Sequence, residues 1–126
     1  MISDLIRGEG LHGSGVTSEE IDKAEGKLSL TFSKEYREYL SEFGIGAYDG
    51  HEFTGVSATK RLDVVTVTED ERKRNPNVPK SYYVIEQANF DGIVIWQDEN
   101  GKVYESYESG KIEKIAGSIF QYVENK

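Results

Sequence analysis

The chain of 126 residues contains no cysteine. That excludes a disulfide framework, thiolate chemistry and any cysteine-bearing zinc site. Long apolar runs are missing too, and none approaches the roughly 20 residues that a membrane-spanning helix needs. MISDLIRGEG, at the start, has neither a basic leading region nor a long apolar stretch, so it does not read as a signal peptide. Proline occurs twice, at Pro76 and Pro79, and both mark one loop. Positive charge is scarce: 15 Lys and Arg stand against 23 Asp and Glu, a net charge of −8. Phosphate backbones are held by Lys and Arg that displace counterions, so direct nucleic-acid binding is a poor match. The one basic cluster, ERKRN at 71–75, is short and sits beside other acidic residues. A basic protein surface is the better electrostatic partner, although such a charge also serves solubility. The chain therefore reads as cytoplasmic, without a membrane contact.

Glycine is plentiful near the start. GEGLHGSG carries Gly8, Gly10 and Gly13, a literal G-x-G-x-x-G. A dinucleotide-binding loop needs a strand before these glycines and a helix opening within them. MISDLIR is short and more helical than extended, and the next helix opens some residues after Gly13. The glycines read instead as a loose, turning lead-in. Residues 1–15 are accordingly expected to be a flexible entry segment, and 16–126 a single domain.

Thr17 with Glu20 forms a capping box, and Ile21, Ala24 and Leu28 follow at helical spacing. Ser33 caps a second helix with Tyr36, Tyr39, Leu40 and Phe43 on one face, closed by Gly44. AYDGHEFTGVS reads as a short strand or pair of strands. LDVVTVTEDERKR reads as a helix capped by Asp63, against the strand preference of its valines. YYVIEQ, GIVIWQD, KVYESY and KIEKI then alternate as an antiparallel meander. GIVIWQD, apolar on both faces, takes a central place. Asn100-Gly101 is the strongest two-residue hairpin signal, and Glu108 to Gly110 turns the chain again. Ser118 caps a last helix with Ile119, Phe120, Tyr122 and Val123 facing the sheet. The fold class is α+β: an N-terminal helical hairpin and a C-terminal helix packed on an antiparallel β-meander.

No catalytic constellation or cofactor loop assembles from these residues. DENGKVYES departs from a calcium loop, with Lys102 at position 5, glycine at position 4 and Ser109 at position 12. His12 and His51, far apart and without cysteine, make no zinc site and read as solvated loop residues. A relay built on His51 lacks a strained nucleophile motif. Trp96, in an apolar strand, reads as core with its indole N–H bonded. Eight tyrosines among acidic residues leave some partly exposed, which suits protein recognition.

The first half, VTSEEIDKAEGKLSLTFSKEYREYLSEFGIGAYDG, resembles the signature of the SUKH superfamily, bacterial immunity proteins related to the fungal Smi/Knr cell-wall assembly regulator. Ile21, Glu25, Leu28, Tyr36, Leu40, Phe43, Gly44 and Gly46 occupy its pattern positions. Two places depart: Ser29 stands for a usual glycine, and Phe32-Ser33 for a usual Leu-Pro, where Ser33 can still cap the helix. The meander and IAGSIFQYVEN resemble the second half of the family, so the likeness spans about Val16 to Glu124. It implies a SUKH-like domain that is not an enzyme. It further implies an antitoxin that binds and neutralises a cognate polymorphic toxin, here expected to be a basic nuclease. The alternative is an intracellular adaptor that docks several cellular proteins. Loop position and charge put the expected contact residues at Tyr48, Asp49, Glu52 and Phe53, with Asp91, Asp98 and Glu99 on the meander turns. No metal or cofactor is expected.

Overall fold

The computed structural model of the protein describes residues 1–88 and 92–124. Its elements run α1 (Ile2–Glu9), β1 (Leu11–His12), α2 (Ser18–Leu28), α3 (Lys34–Phe43), β2 (Gly46–Tyr48) and β3 (His51–Phe53). A single 3-10 turn (Lys60–Leu62) leads into α4 (Val64–Arg74). Then come β4 (Tyr83–Gln87), β5 (Val94–Gln97), β6 (Val103–Ser106), β7 (Ile112–Ala116) and α5 (Ile119–Glu124). The fold is α+β, with two antiparallel sheets ordered β1-β2-β3 and β4-β5-β6-β7.

The start of the chain differs from the flexible entry expected for residues 1–15. Ile2, Leu5 and Ile6 fall at i, i+3 and i+4, enough of a stripe to make α1 a packed helix, and Ile2 and Ile6 are buried in the main core. The glycines that follow serve close packing. A Cβ on Gly10 would meet the Ala47 carbonyl, and one on Gly15, which holds φ +89°, would meet that of Ser41.

Local signals set the helices. Thr17 Oγ1 accepts from the Glu20 N–H at 3.2 Å while the Glu20 carboxylate accepts from the Thr17 N–H, so α2 opens on a capping box. It ends on Ser29 in the left-handed region (φ 54°, ψ 47°), a place that favours glycine. Glu25 then ties the link to α3, accepting from the Phe32 N–H at 2.8 Å and pairing with Arg37 at 2.7 Å. Asp63 accepts from the Thr66 N–H and opens α4. This cap, with Val64, Val67, Thr68 and Glu71 buried on one side, decides the helix over the strand preference of its valines.

The four-stranded sheet separates two cores. On one face Tyr83, Ile85, Ile95 and Val103 pack with α1, α2, α3 and α5. On the other, Val67 of α4 and Val78 cover Val84, Val94 and Trp96. Trp96 is fully buried, and its indole N–H donates to Ser106 Oγ at 2.9 Å.

A buried polar knot fixes α3 and α5 to the sheet. Gln97 accepts from Ser33 Oγ and the Tyr83 hydroxyl, and donates to Glu35 and to the Gly101 carbonyl. The Glu35 carboxylate also accepts from the Ile119 and Phe120 N–H groups at 2.7 and 3.1 Å. A residue of α3 thereby caps α5, beside the local cap from Ser118. The β5–β6 hairpin forms at the expected place with a longer turn. Gly101 N–H closes onto the Asp98 carbonyl at 3.0 Å, and Gly101 takes φ +90° without a matching positive φ at Asn100. Beyond the Gln97–Val103 pair the Asp98 N–H still donates to the Lys102 carbonyl at 3.0 Å, which leaves Glu99, Asn100 and Gly101 between them, one residue more than a two-residue turn holds. The small sheet joins the large one through Thr54, whose N–H donates to Ile85 at 2.8 Å and whose hydroxyl donates to Val84 at 2.7 Å.

Candidate functional site

Tyr48-Asp49-Gly50-His51 closes the β2–β3 hairpin. Asp49 and Gly50 hold φ +49° and +81°, the pair of positive angles that a type I′ turn requires. Residues facing each other across a ladder, and every second residue along it, share a face. Tyr48, paired with His51, therefore lies with His51 and Phe53 on one face, and Ala47, paired with Glu52, on the other. Phe53 was expected among the contact residues, but it is 2% exposed and packs edge-on against Tyr39. Glu52 points outward and pairs with Arg61 at 2.6 Å.

His51 was expected to be solvated. Strand alternation turns it inward beside Phe53, on which it stacks with 6° between the rings. Its Nδ1 lies 3.0 Å from Glu86 Oε1, and the Tyr122 hydroxyl donates to the same oxygen at 2.5 Å. Nε2 is enclosed and has no hydrogen-bond partner, so the imidazole is placed to hold structure rather than to meet a substrate. This trio fastens the hairpin to β4 and to α5.

Around that clasp runs a ridge of tyrosines and carboxylates. The half-buried Tyr48 hydroxyl is pushed above its usual range by partial burial, then by the carboxylates of Glu124, Glu9 and Asp49. Tyr122 is pushed up by burial, then by Glu86 and Glu105. Tyr107 is pushed up to about 12 by desolvation, then by Glu105 and Glu113. Glu105 pairs across the ladder with Glu113, which accepts from the Tyr107 hydroxyl at 3.3 Å, while Tyr122 lies edge-on to His51, the ladder partner of Tyr48, so each tyrosine adjoins this clasp or the Glu105–Glu113 pair. Lys111, 2.6 Å from Glu113, is a cation paired within it. Negative potential focused over such a ridge attracts a basic surface, and its tyrosines supply aromatic contact area.

The expected meander residues do not join this ridge. Asp98 is a turn carboxylate: its Oδ1 accepts from the Asn100 and Lys102 N–H groups at 2.9 and 3.0 Å, and its Oδ2 from the Tyr104 hydroxyl. Glu99 is exposed, but it lies beyond Gln97, which pairs with Tyr83, whereas the ridge starts near Glu86 at the far end of β4. Asp91 lies outside the described residues. The structure therefore groups Tyr48, Asp49 and Glu52 on one hairpin and separates them from Asp98 and Glu99. Glu105, Tyr107, Glu113, Tyr122 and Glu124 complete the ridge and carry no motif of their own, while the buried Glu86 belongs to the clasp. The Asp49-Gly50 dipeptide was the available signal: read as a type I′ turn, it puts His51 and Phe53 on the inner face.

Among the described residues no group of three or more His, Asp or Glu is disposed to hold a metal ion, and no helix is long and apolar enough to cross a membrane. A family model described as SMI1-KNR4 cell-wall, of the SUKH group, matches residues 1–126. A solved structure, the crystal structure of a protein from Pseudomonas syringae pv. tomato, superposes with a TM-score of 0.76 at 15% identity. The alignment covers 98% of this chain and 93% of that one, and at this identity it speaks for the fold alone. No curated protein matches the chain.

Proposed function

The chain belongs to the SUKH family of SMI1-KNR4 cell-wall type, and we propose that it is an immunity protein that neutralises a cognate toxin by binding it. The observation that supports this reading is the grouping of Tyr48 and Tyr122 about His51 and of Tyr107 about the Glu105–Glu113 pair, with Glu9, Asp49 and Glu124 near enough to Tyr48 to raise its hydroxyl. Partly buried tyrosines in a carboxylate field suit a basic protein surface. They offer rigid contact area and steer encounter by charge. A nuclease fits best, because a site built to hold phosphates is cationic and a row of carboxylates can occupy it. The protein acts by occlusion, without catalysis of its own, and works where the toxin would, in the cytoplasm.

The test is a tagged pull-down from the native cell, washed at low and high salt, with partners identified by mass. One stoichiometric basic partner, released by high salt, is the expected result. Glu105→Lys with Glu113→Lys should then weaken capture at least tenfold. Several substoichiometric partners, insensitive to these changes, would instead favour the adaptor reading.

A further inference from the structure

The four-stranded sheet leaves one margin open. At its β4 end the small sheet joins it through the bond from the Thr54 N–H to Ile85. At the other end stands β7, and among the described residues no strand lies beyond it. α5 starts after β7 but crosses away from it, since Tyr122 reaches Glu86 on β4. The Tyr107 N–H donates to the Lys111 carbonyl at 3.0 Å, and bonded and non-bonded pairs alternate along an antiparallel ladder. Glu105–Glu113 is therefore a bonded pair and Ser106–Ile112 a non-bonded one. Ile112 thus turns its N–H and C=O away from β6, to the open side, while its side chain packs on the core around Trp96. Lys111 and Glu113 point to the opposite face, where their charged groups lie 2.6 Å apart. Glu113 also faces Glu105 across the ladder, and among the described residues a single lysine, Lys111, is ion-paired to these two carboxylates. An open strand margin is a template for a further strand.

We propose that β7 pairs antiparallel with β7 of a second copy about a twofold axis at Ile112, joining two four-stranded sheets into one of eight. Charge selects the occupant and the register. Outward N–H and C=O groups must meet their like in the second copy, so the axis can fall at residue 111, 112, 113 or 114. Three of these choices set like charges directly opposite, Lys111 on Lys111, Glu113 on Glu113 or Lys114 on Lys114, and each is destabilising. At Ile112 the run Lys111-Ile112-Glu113 complements its own reverse. Each Lys111 meets the second copy's Glu113, and the two Ile112 residues adjoin and exchange both backbone bonds. Lys114 falls opposite Gly110, which has no side chain. Each Glu105–Glu113 pair then has two lysines beside it instead of one. The net charge of −8 on each copy opposes association, but charges farther apart than about 8 Å are screened at physiological ionic strength, and the facing pairs are in contact. An edge-to-edge contact of one short strand is smaller than the roughly 1,200 Å² of stable interfaces, so the pair is weak and reversible. It needs no other protein and stands apart from the toxin-binding reading.

The experiment is sedimentation equilibrium of the full chain in about 0.15 M salt, from about 10 μM to 1 mM, the range in which so small an interface binds. Reversible dimerisation is expected, and in a nitrogen-15 labelled sample the amide signals of residues 110–114 should move on dilution. Lys111→Glu sets carboxylate against carboxylate at both facing positions, and Glu113→Lys sets ammonium against ammonium. Each variant alone should associate about tenfold more weakly. An equimolar mixture of the two restores opposite charges at both positions and should dimerise as the wild type does. That recovery also shows that both variants are folded. A wild-type chain that stays monomeric throughout would overturn the proposal. So would single variants that associate unchanged, or a mixture that fails to recover. Dilution shifts confined to residues 9–12 would overturn it too and put the contact on β1. No toxin is present, so failure here leaves the toxin-binding reading intact, and failure of that reading has its own signature in the pull-down.

Discussion

At Glu52 and Phe53 strand alternation sends one side chain out to Arg61 and the next into the core. Phe53→Ala should cost about 3–5 kcal/mol of stability, the usual penalty for emptying a large core site, read as a lower urea midpoint. Glu52→Lys should leave that midpoint within about 0.5 kcal/mol, because its ion pair is solvent-exposed. The opposite ranking would mean that Phe53 is not a core residue. Single-residue roles were legible where a side chain acts on its own neighbours. Thr17, Ser33, Asp63 and Ser118 cap the helices assigned to them. Roles that depend on distant chain were not legible: Glu35 and Gln97 meet across 62 residues, and His51 and Glu86 across 35.

Among the elements, α2 ends at a place where the chain departs from the family pattern and the backbone favours the usual residue. Ser29 replaces the usual glycine, and its backbone sits in the left-handed region where a Cβ is crowded by the following carbonyl. Ser29→Gly should stabilise the protein by about 1 kcal/mol, seen as a higher midpoint in urea with an unchanged slope. A loss of stability would mean that the serine side chain makes an offsetting contact. The neighbouring departure carries no such strain, because Ser33 Oγ both accepts from Tyr36 N–H and donates to Gln97. Periodicity found α2, α3, α4 and the four meander strands. It missed the packed role of α1, whose apolar stripe is only two turns long and whose burial depends on α3 and β2. The Asn100-Gly101 signal placed the hairpin but not its length, which the pairing register of β5 and β6 sets.

For the molecule as a whole, alkaline pH is the revealing perturbant. Tyr36, Tyr39 and Tyr83 are buried, and burial, the largest cause for each, holds their hydroxyls above the ordinary tyrosine range. The folded-state pKa is raised above the unfolded value of about 10, so the stability these groups contribute is complete below about pH 10. It is lost as pH rises towards their folded values, by up to about 1.4 kcal/mol per pH unit for each group. The urea midpoint should therefore hold from pH 7 to 9 and fall with growing steepness above 10. Tyr36→Phe should make that fall shallower, and tyrosinate absorbance for the three should appear only with unfolding. A midpoint indifferent to pH up to 11 would contradict the burial of these rings.

The carboxylate of Glu35 also has a kinetic meaning. It joins the first turn of α3 to the first turn of α5 across 84 residues of a 126-residue chain. Closing so large a loop costs entropy before the contact returns any stability, and such non-local contacts slow folding. Tyr122 and Glu124 ride on the helix secured by that contact, so the ridge is complete only once it forms. A chain stalled before its final turn would keep most of its core yet present no finished face to a partner. Recognition would then report completion of folding as well as identity.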